Sequence, residues 1–341
     1  MIQPRMILFC GLALYLAGSH QISARHIPDD IKICLNQITA CIYNDQFLQA
    51  EALIDSLSRD GNARPFNFLF RSILYQSQMM AAESNHLETQ FFDCLDSVEA
   101  SSQRMLESGQ DSALAYYFSG HSHAFRSLYQ GRAGHTWSAI KKALGARKAY
   151  DKGYKADSTF HDIALGLGSY KYWKTVKTKA LNWTPLFKSE KRRGIELLRL
   201  AADSSDISRD ASRAALIWVY INEKQYGQAI SLAGEMLKKY PHGLTFLWPL
   251  GEAYFKLGDY SQAIEIYSEI KSKLSTNPGN YFNIIEASFY LFQCYDSQRT
   301  DPEKSHAEIC LLAKEIQNLP IPEETQERQM EKIKKITSAD K

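Results

Sequence analysis

Glycine and proline are scarce in this chain, which contains 18 Gly and 10 Pro among 341 residues. Short strands joined by many tight turns need both residues, so their scarcity argues against an all-β fold and favours helices. An excess of charge of one sign is also lacking, because the formal net charge is only +2. A chain so close to neutrality gives no global argument for a nucleic-acid partner, and we expect none.

Short catalytic and metal-binding motifs are missing as well. The sequence has no G-x-S-x-G, no P-loop, no G-x-G-x-x-G after a strand and no H-E-x-x-H. Histidines concentrate only around His121, His123 and His135. Because His121 and His123 are two residues apart, a helix places them on nearly opposite faces and not around one metal ion. We therefore expect no enzyme activity, no metal site and no cofactor.

The first 24 residues differ from the rest of the chain. Arg5 precedes an apolar run over residues 6–18, which is too short to span a bilayer stably and gives way to polar residues. The small residues of 22–24 then offer a cleavage site. We predict a signal peptide over residues 1–24 and a protein exported to the periplasm or outer membrane, with secretion as the alternative. An uncleaved anchor is a second alternative, whereas lipidation is disfavoured because Cys10 lies in the middle of the apolar run.

Cysteine is too sparse for a disulfide framework. Removing the predicted signal leaves five of the six cysteines, and an odd number cannot pair completely. Cys34 and Cys41 lie two turns apart on one predicted helix, about 10 Å by helical rise, which is too far to bridge. Cys294 and Cys310 fall on the paired helices of the last predicted unit and could meet. The alternative interpretation is that the cysteines are small buried apolar residues.

The chain does contain an internal repeat at an offset of 34 residues. The recurring positions are Tyr220, Tyr226 and Ala229, which return as Tyr254, Tyr260 and Ala263. A 34-residue period, with a small residue where two helices cross and a proline after the second helix, is typical of helix-turn-helix repeats. The pattern resembles the tetratricopeptide repeat (TPR) of exported bacterial proteins. The repeats that match best cover residues 210–243 and 244–277.

In the second of these repeats each key residue has a packing role. Gly251 and Ala263 let two helix backbones approach closely, while Leu250, Tyr254 and Tyr267 fill the seam between the helices. Pro249 is expected near a helix start, where its missing N–H would have no intrahelical partner. The resemblance implies an all-α fold, a right-handed α-α superhelix of about six to seven helical hairpins over residues 25–322. A charged C-terminal segment, 323–341, follows.

The rest of the predicted solenoid departs from the 34-residue period. Residues 31–57 are typical of a degenerate first repeat, with Ala50 at the helix crossing. In the middle, Gly120 and Gly168, like Ala146 and Gly194, recur 48 residues apart, which predicts longer helices. The predicted long pairs are 67–84 with 85–106, 112–129 with 135–154, and 160–177 with 188–202. The last unit uses Leu291, Phe292 and Tyr295 on its first helix and Ala307 and Leu311 on its second.

A partner-binding groove follows from the helical spacing of the two best repeats. Residues opposite the seam should face the hollow of the superhelix, where exposed aromatic side chains commonly anchor peptides. The alternative is that these side chains pack internally against the C-terminal helix. The predicted groove residues are Trp218, Asn222, Trp248, Glu252, Phe255 and Lys256.

A basic stretch over residues 141–199 is the strongest local charge asymmetry. It holds 15 Lys and Arg against five Asp and Glu, a local balance of +10 in a chain of +2. Aromatic residues alternate with lysines here, a mixture that suits an anionic membrane surface or an acidic partner. The alternative is a solvated outer face with the aromatics in the helix seam. The predicted surface residues are Lys171, Trp173, Lys174, Lys177, Lys179, Trp183 and Lys188, on a connection that projects from the stack.

Three functional hypotheses remain at this point. The first is a non-enzymatic scaffold of the cell envelope that binds a protein or peptide. The second is a ligand-binding or transport-accessory protein that holds a small molecule in the central hollow. The third is an enzyme whose site is assembled from loops. An open groove favours the first hypothesis, and a large closed apolar volume favours the second.

Overall fold

The computed structural model describes residues 26–57, 63–82, 84–178, 189–275 and 281–298, with isolated positions between 303 and 331. Every regular element in these ranges is an α-helix, which confirms the predicted all-α class. The described helices are α1 (Asp29–Tyr43), α2 (Phe47–Leu57), α3 (Arg64–Ala82), α4 (Glu88–Glu107), α5 (Ser112–Arg132), α6 (Thr136–Ala156), α7 (Ile163–Lys177), α8 (Lys191–Ser204), α9 (Arg209–Asn222), α10 (Tyr226–Lys239), α11 (Leu244–Leu257), α12 (Tyr260–Ser275) and α13 (Tyr281–Gln298). None of them is long and apolar enough to cross a membrane.

Consecutive helices pair as hairpins, and the hairpins stack. Within the hairpins, α3 packs against α4, α5 against α6, α7 against α8 and α11 against α12. The first helix of each hairpin also contacts the first helix of the next, from α3 through α5, α7 and α9 to α11. This nearest-neighbour stacking is the architecture of a TPR solenoid and confirms the predicted fold.

The predicted helix crossings are closely packed. A methyl group added to Gly168 of α7 would lie 2.8 Å from the carbonyl oxygen of Gly194 in α8. One added to Gly194 would lie 2.7 Å from the backbone nitrogen of Tyr172. At the α11 and α12 crossing, a Cβ on Gly251 would meet the ring of Tyr267 at 3.0 Å, and Ala263 is fully buried. Small residues therefore set the spacing between paired helices, as the repeat pattern predicts.

Two features of the helices differ from the sequence predictions. Helices α3 to α6 have 19 to 21 residues, but α7 and α8 have only 15 and 14, so the third predicted long pair is wrong. Helix α7 begins late because Asp162 just before it accepts hydrogen bonds from backbone N–H groups of Asp206, Ile207 and Ser208. Pro249, expected near a helix start, is the sixth residue of α11, where it removes one intrahelical hydrogen bond.

The N-terminal hairpin forms at the predicted residues, and α1 contacts α3 of the next hairpin as well as residues much farther along the chain. Lys32 forms an ion pair with Asp206 at 2.5 Å, and Asn36 donates a hydrogen bond to the Asp206 carbonyl at 3.3 Å. Further along α1, the Tyr43 ring packs edge-on against Phe246 with centroids 5.2 Å apart. Helix α1 therefore runs along the edge of the stack, past the loops that join α8 to α9 and α10 to α11.

The segment before α1 continues along the same edge through His26. Its Nδ1 contacts Asp111 in the loop before α5, and its Nε2 lies 2.9 Å from Asp157 in the loop after α6. The ring also packs against Phe160 at 4.4 Å. Because a carboxylate only accepts hydrogen bonds, both ring nitrogens donate, as in the charged imidazolium. Burial lowers the pKa of His26, but the two carboxylates outweigh it, and the net pKa is raised.

The C-terminal unit is described in part. Leu291 and Phe292 of α13 are buried as predicted. Leu311 is helical as predicted but is 48% exposed, and Ile316 is the buried residue of this part of the chain. Cys294 is fully buried, whereas Cys310 is exposed. The predicted signal peptide and most of the charged segment 323–341 lie outside the described residues.

Candidate functional site

The predicted groove begins on α9, where Trp218 is 38% exposed and Asn222 is exposed at the last helical position. The Asn222 side-chain amide donates to the Tyr172 hydroxyl of α7 at 2.6 Å. That hydroxyl donates in turn to Glu223 at 2.7 Å, and Glu223 forms an ion pair with Lys191. This network fixes the end of α9 against α7 and leaves the indole of Trp218 facing solvent.

The other half of the predicted groove lies on α11 and is partly filled. Tyr290 of α13 stacks on Tyr267 with ring centroids 4.7 Å apart. Trp248 lies 6.4 Å from the Tyr290 ring, and Phe255 lies 6.1 Å from it. Both predicted groove aromatics are therefore half-buried in an internal aromatic cluster. The internal packing is against α13, not against the C-terminal helix that we named as the alternative.

The charged groove residues of α11 lie beside this aromatic cluster. Glu252 forms an ion pair with Lys256 at 3.5 Å, one helical turn away. Burial, and after it the negative charges of Glu252 and Glu286, raise the pKa of Tyr290 to about 12. The Tyr290 hydroxyl thus stays neutral. It can serve as a hydrogen-bond donor or acceptor, and it does not act as a base.

Together these residues form a stripe on the first helices of two neighbouring repeats, which we call the first-helix stripe. Its members are Trp218, Asn222, Trp248, Glu252, Phe255 and Lys256. Trp218 offers an exposed aromatic surface, and the ion pair and the amide offer polar partners at its side. Such a mixture suits the binding of a polypeptide, in which an aromatic anchor is combined with hydrogen bonds.

The predicted basic aromatic surface is only partly available for binding. Lys171 and Lys174 of α7 both pair with Glu190, the latter at 3.2 Å. Burial raises the pKa of Glu190, but its two lysine partners outweigh this effect and lower the pKa overall. Trp173 is half-buried within α7, with its ring 5.0 Å from Tyr172, so its predicted place on a projecting connection is wrong. Lys177 is exposed.

Three other members of that predicted surface, Lys179, Trp183 and Lys188, lie outside the described residues. The expectation of a projecting connection carrying Trp183 therefore stays a prediction. On α7 the predicted surface is reduced because Glu190, at the start of α8, neutralises Lys171 and Lys174.

Of the clustered histidines, His121 has a structural role. His121 is buried, and its Nδ1 donates to the Tyr117 carbonyl at 3.0 Å. Burial lowers the pKa of His121 to about 4, so the ring is neutral at physiological pH. Within the described ranges, no group of three or more His, Cys, Asp and Glu side chains could hold a metal ion.

Sequence reasoning missed two contributors to this part of the molecule. Tyr290 is not part of the predicted seam, which the sequence pattern assigns to its neighbours Leu291 and Phe292. His26 lies just after the predicted signal, where the sequence pattern indicates a cleavage site and not a contact. An aromatic residue next to a predicted seam pair was the available signal for Tyr290, and nothing local indicated the partners of His26.

Comparison with known proteins identifies the repeat. Residues 220–279 match the tetratricopeptide repeat family. The matched region runs from the last turn of α9 through α12, and so it includes the crossing of α11 and α12 described above. A search of curated proteins found no match. The family match shows that the chain contains tetratricopeptide repeats, and the stacked helical hairpins on either side of them form a solenoid of the same kind.

Proposed function

We propose that this protein is a non-enzymatic scaffold of the cell envelope that binds a polypeptide along the first-helix stripe. Tetratricopeptide repeats generally mediate protein–protein interaction. The observation that carries the proposal is the exposure of Trp218 on α9. A large aromatic residue at 38% exposure on an ordered helix has the character of a binding hot spot.

The geometry of the stripe supports an extended ligand. Its residues lie on α9 and α11, the first helices of adjacent repeats, and these helices contact each other. A ligand that reaches from Trp218 to the Glu252 and Lys256 pair would therefore touch two repeats. Helix α1 lies along the loop edge of the stack, and it leaves the last turn of α9 and its Trp218 open to solvent.

A small-molecule site in the hollow has less support. One open cavity of about 560 Å³ lies between α3 and α4 and is lined by residues that include Arg64 and Arg104. Another, of about 680 Å³, lies at the turn between α5 and α6 beside Trp137. Neither lies on the first-helix stripe. The exposed Trp218 and the polar side chains of the stripe favour a polypeptide as its ligand.

Site-directed cross-linking in the native host tests the binding proposal. A photoreactive phenylalanine analogue at position 218 should cross-link a partner, whereas one at Leu48, an apolar position 83% exposed on α2, should not. With the captured partner purified, Trp218→Ala should weaken binding at least tenfold, and Leu48→Ala should leave it unchanged. Equal cross-linking at both positions, or equal affinities for both variants, would contradict the proposal.

The envelope location rests on the N-terminal sequence pattern. If the signal is cleaved as proposed, protein recovered from the native host should begin between His20 and Ile27. Sequencing of the N-terminus by mass spectrometry measures this directly. Protein that retains Met1 in the cytoplasmic fraction would count against export but would leave the polypeptide-binding proposal intact.

A further inference from the structure

An exposed apolar row follows one side of α6. Trp137 is 85% exposed, Ile140 46% and Leu144 43%. These residues are three and four positions apart, a spacing that places them on one helix face. Leu128, near the end of α5, is 56% exposed. The preceding residue, Ser127, donates a hydrogen bond to the Ala139 carbonyl of α6 at 2.8 Å, so this part of α5 lies beside the row. Four large apolar side chains thus face solvent on one hairpin.

Positive charge surrounds this row. Helix α6 carries six Lys and Arg and a single acidic residue, Asp151, which pairs with Arg147 at 3.2 Å. Lys141 and Lys148 are exposed and lie four residues after Trp137 and Leu144, on the same side of the helix. Among the residues that the structure describes, neither lysine forms an ion pair with a carboxylate.

The lysines of α7 behave differently, because Lys171 and Lys174 share Glu190 as a partner. Among the described lysines of the basic stretch, Lys141 and Lys148 of α6 therefore keep their charge available, whereas Lys171 and Lys174 do not. On α6 this charge is combined with exposed apolar side chains, whereas Tyr172 of α7 is buried and Trp173 is half-buried.

We infer that this α6 face is a docking surface for an anionic lipid membrane. A helix that lies in a membrane interface presents Trp and aliphatic side chains on one face and Lys or Arg at its margins. Tryptophan favours the headgroup level, the aliphatic side chains enter the acyl boundary, and lysines extend toward the headgroups. The unpaired charges here are lysines, which act as compact point charges on flexible stems, whereas bidentate recognition of a particular carboxylate usually relies on arginine.

The proposal predicts the size of the electrostatic contribution. Each lysine near an anionic surface should contribute about fivefold in partition coefficient, equivalent to about 1 kcal/mol. Removing Lys141 and Lys148 together should therefore weaken binding about 25-fold. Because the attraction is screened within a Debye length, raising the salt from 0.05 to 0.5 M should also release most of the protein.

Sedimentation of the purified protein with vesicles provides the test. The wild type should sediment at low salt with equimolar phosphatidylglycerol and phosphatidylcholine, and much less with phosphatidylcholine alone. Lys141→Gln with Lys148→Gln, and separately Trp137→Ser, should each reduce sedimentation at least tenfold. The matched controls are Lys238→Gln, an exposed lysine on α10, and Leu48→Ser on α2, and both should bind like the wild type.

Fluorescence shows whether Trp137 itself enters the interface. Anionic vesicles should shift the emission of the wild type to shorter wavelength, and Trp137→Phe should remove that shift while retaining most of the sedimentation. The proposal is overturned if the wild type does not bind anionic vesicles at low salt, or if the control variants lose as much binding as the α6 variants. It is also overturned if Trp137→Ser instead disrupts a dimer seen by light scattering, or releases an acidic protein, without affecting vesicle binding.

Discussion

The contact between His26 and two aspartates makes a sharp prediction about stability. His26→Ala removes the ion pairs to Asp111 and Asp157, which belong to two different inter-hairpin loops. A hydrogen bond to a charged group contributes about 1.5 to 3 kcal/mol. Both aspartate side chains are about a quarter exposed and the histidine is 12% exposed, so solvent screening reduces the combined effect. We expect a loss of about 2 to 3 kcal/mol in the free energy of unfolding.

The pH dependence of this contribution has a defined window. The pKa of His26 is raised above its usual value of 6.5, so its contribution is complete below pH 6.5 and is lost as the pH rises through the raised pKa. Burial raises the pKa values of Asp111 and Asp157, but their hydrogen bonds, including those from His26, lower them overall from 3.8. Their contribution is present above that value and is lost as the pH falls through the lowered pKa values. The difference between wild type and variant should therefore be largest between pH 4 and 6.5.

Urea unfolding followed by circular dichroism, from pH 3 to pH 9, measures this difference. His86→Ala is a suitable control, because His86 bonds only with its neighbour Ser84 among the described contacts. A His26→Ala variant as stable as the wild type at pH 5.5 would refute the reasoning. A stability difference that persists unchanged at pH 9 would show that the histidine acts by packing on Phe160 and not by charge.

Two further substitutions test the packing described above. Asp162→Ala should lower the free energy of unfolding by about 3 to 5 kcal/mol, because three backbone N–H groups lose their acceptor. Asp162→Asn keeps one side-chain oxygen as an acceptor and should lower it less. Urea unfolding measures both effects, and a loss below about 1 kcal/mol for Asp162→Ala would contradict this role. Gly168→Ala should destabilise the protein by about 1 to 3 kcal/mol because its methyl group would meet the Gly194 carbonyl. A Cβ added to Gly234 in α10 would meet no atom within 4 Å, so Gly234→Ala should instead stabilise the protein by up to about 1 kcal/mol. Equal changes in melting temperature for Gly168→Ala and Gly234→Ala would contradict the close helix crossing at Gly168.

Local patterns predicted the parts of the fold that depend on near neighbours. The 34-residue offset identified the α9 to α12 repeats, and small residues identified the crossings at Gly168, Gly194 and Gly251. These predictions succeeded because each hairpin is built from residues close in sequence, where helical periodicity is strong. The length of α7 was wrong because Asp162 serves as a hydrogen-bond acceptor for a distant loop, which periodicity does not record.

The candidate site was less predictable for the same reason. Spacing placed Trp218 on an exposed face of α9, but it could not tell that Tyr290 fills the space beside Trp248. The α7 lysines had the composition of a binding surface, yet their shared partner Glu190 lies 16 to 19 residues away. The α6 row is visible in the sequence as Trp137, Ile140 and Leu144, but the same pattern is typical of a buried seam until its exposure is known.

The position of α1 gives this solenoid a property that repeat arrays usually lack. A stacked array is held together by contacts between adjacent hairpins, so its ends can open independently. Here the N-terminal segment joins loops of hairpins that are not adjacent, from Asp111 and Asp157 at His26 to Phe246 at Tyr43. Opening any of these hairpins must break contacts with the N-terminal segment, which couples the units. Under the proposed function, a stripe held in place before binding loses less conformational entropy when a polypeptide binds, so these edge contacts would raise its affinity without touching the ligand.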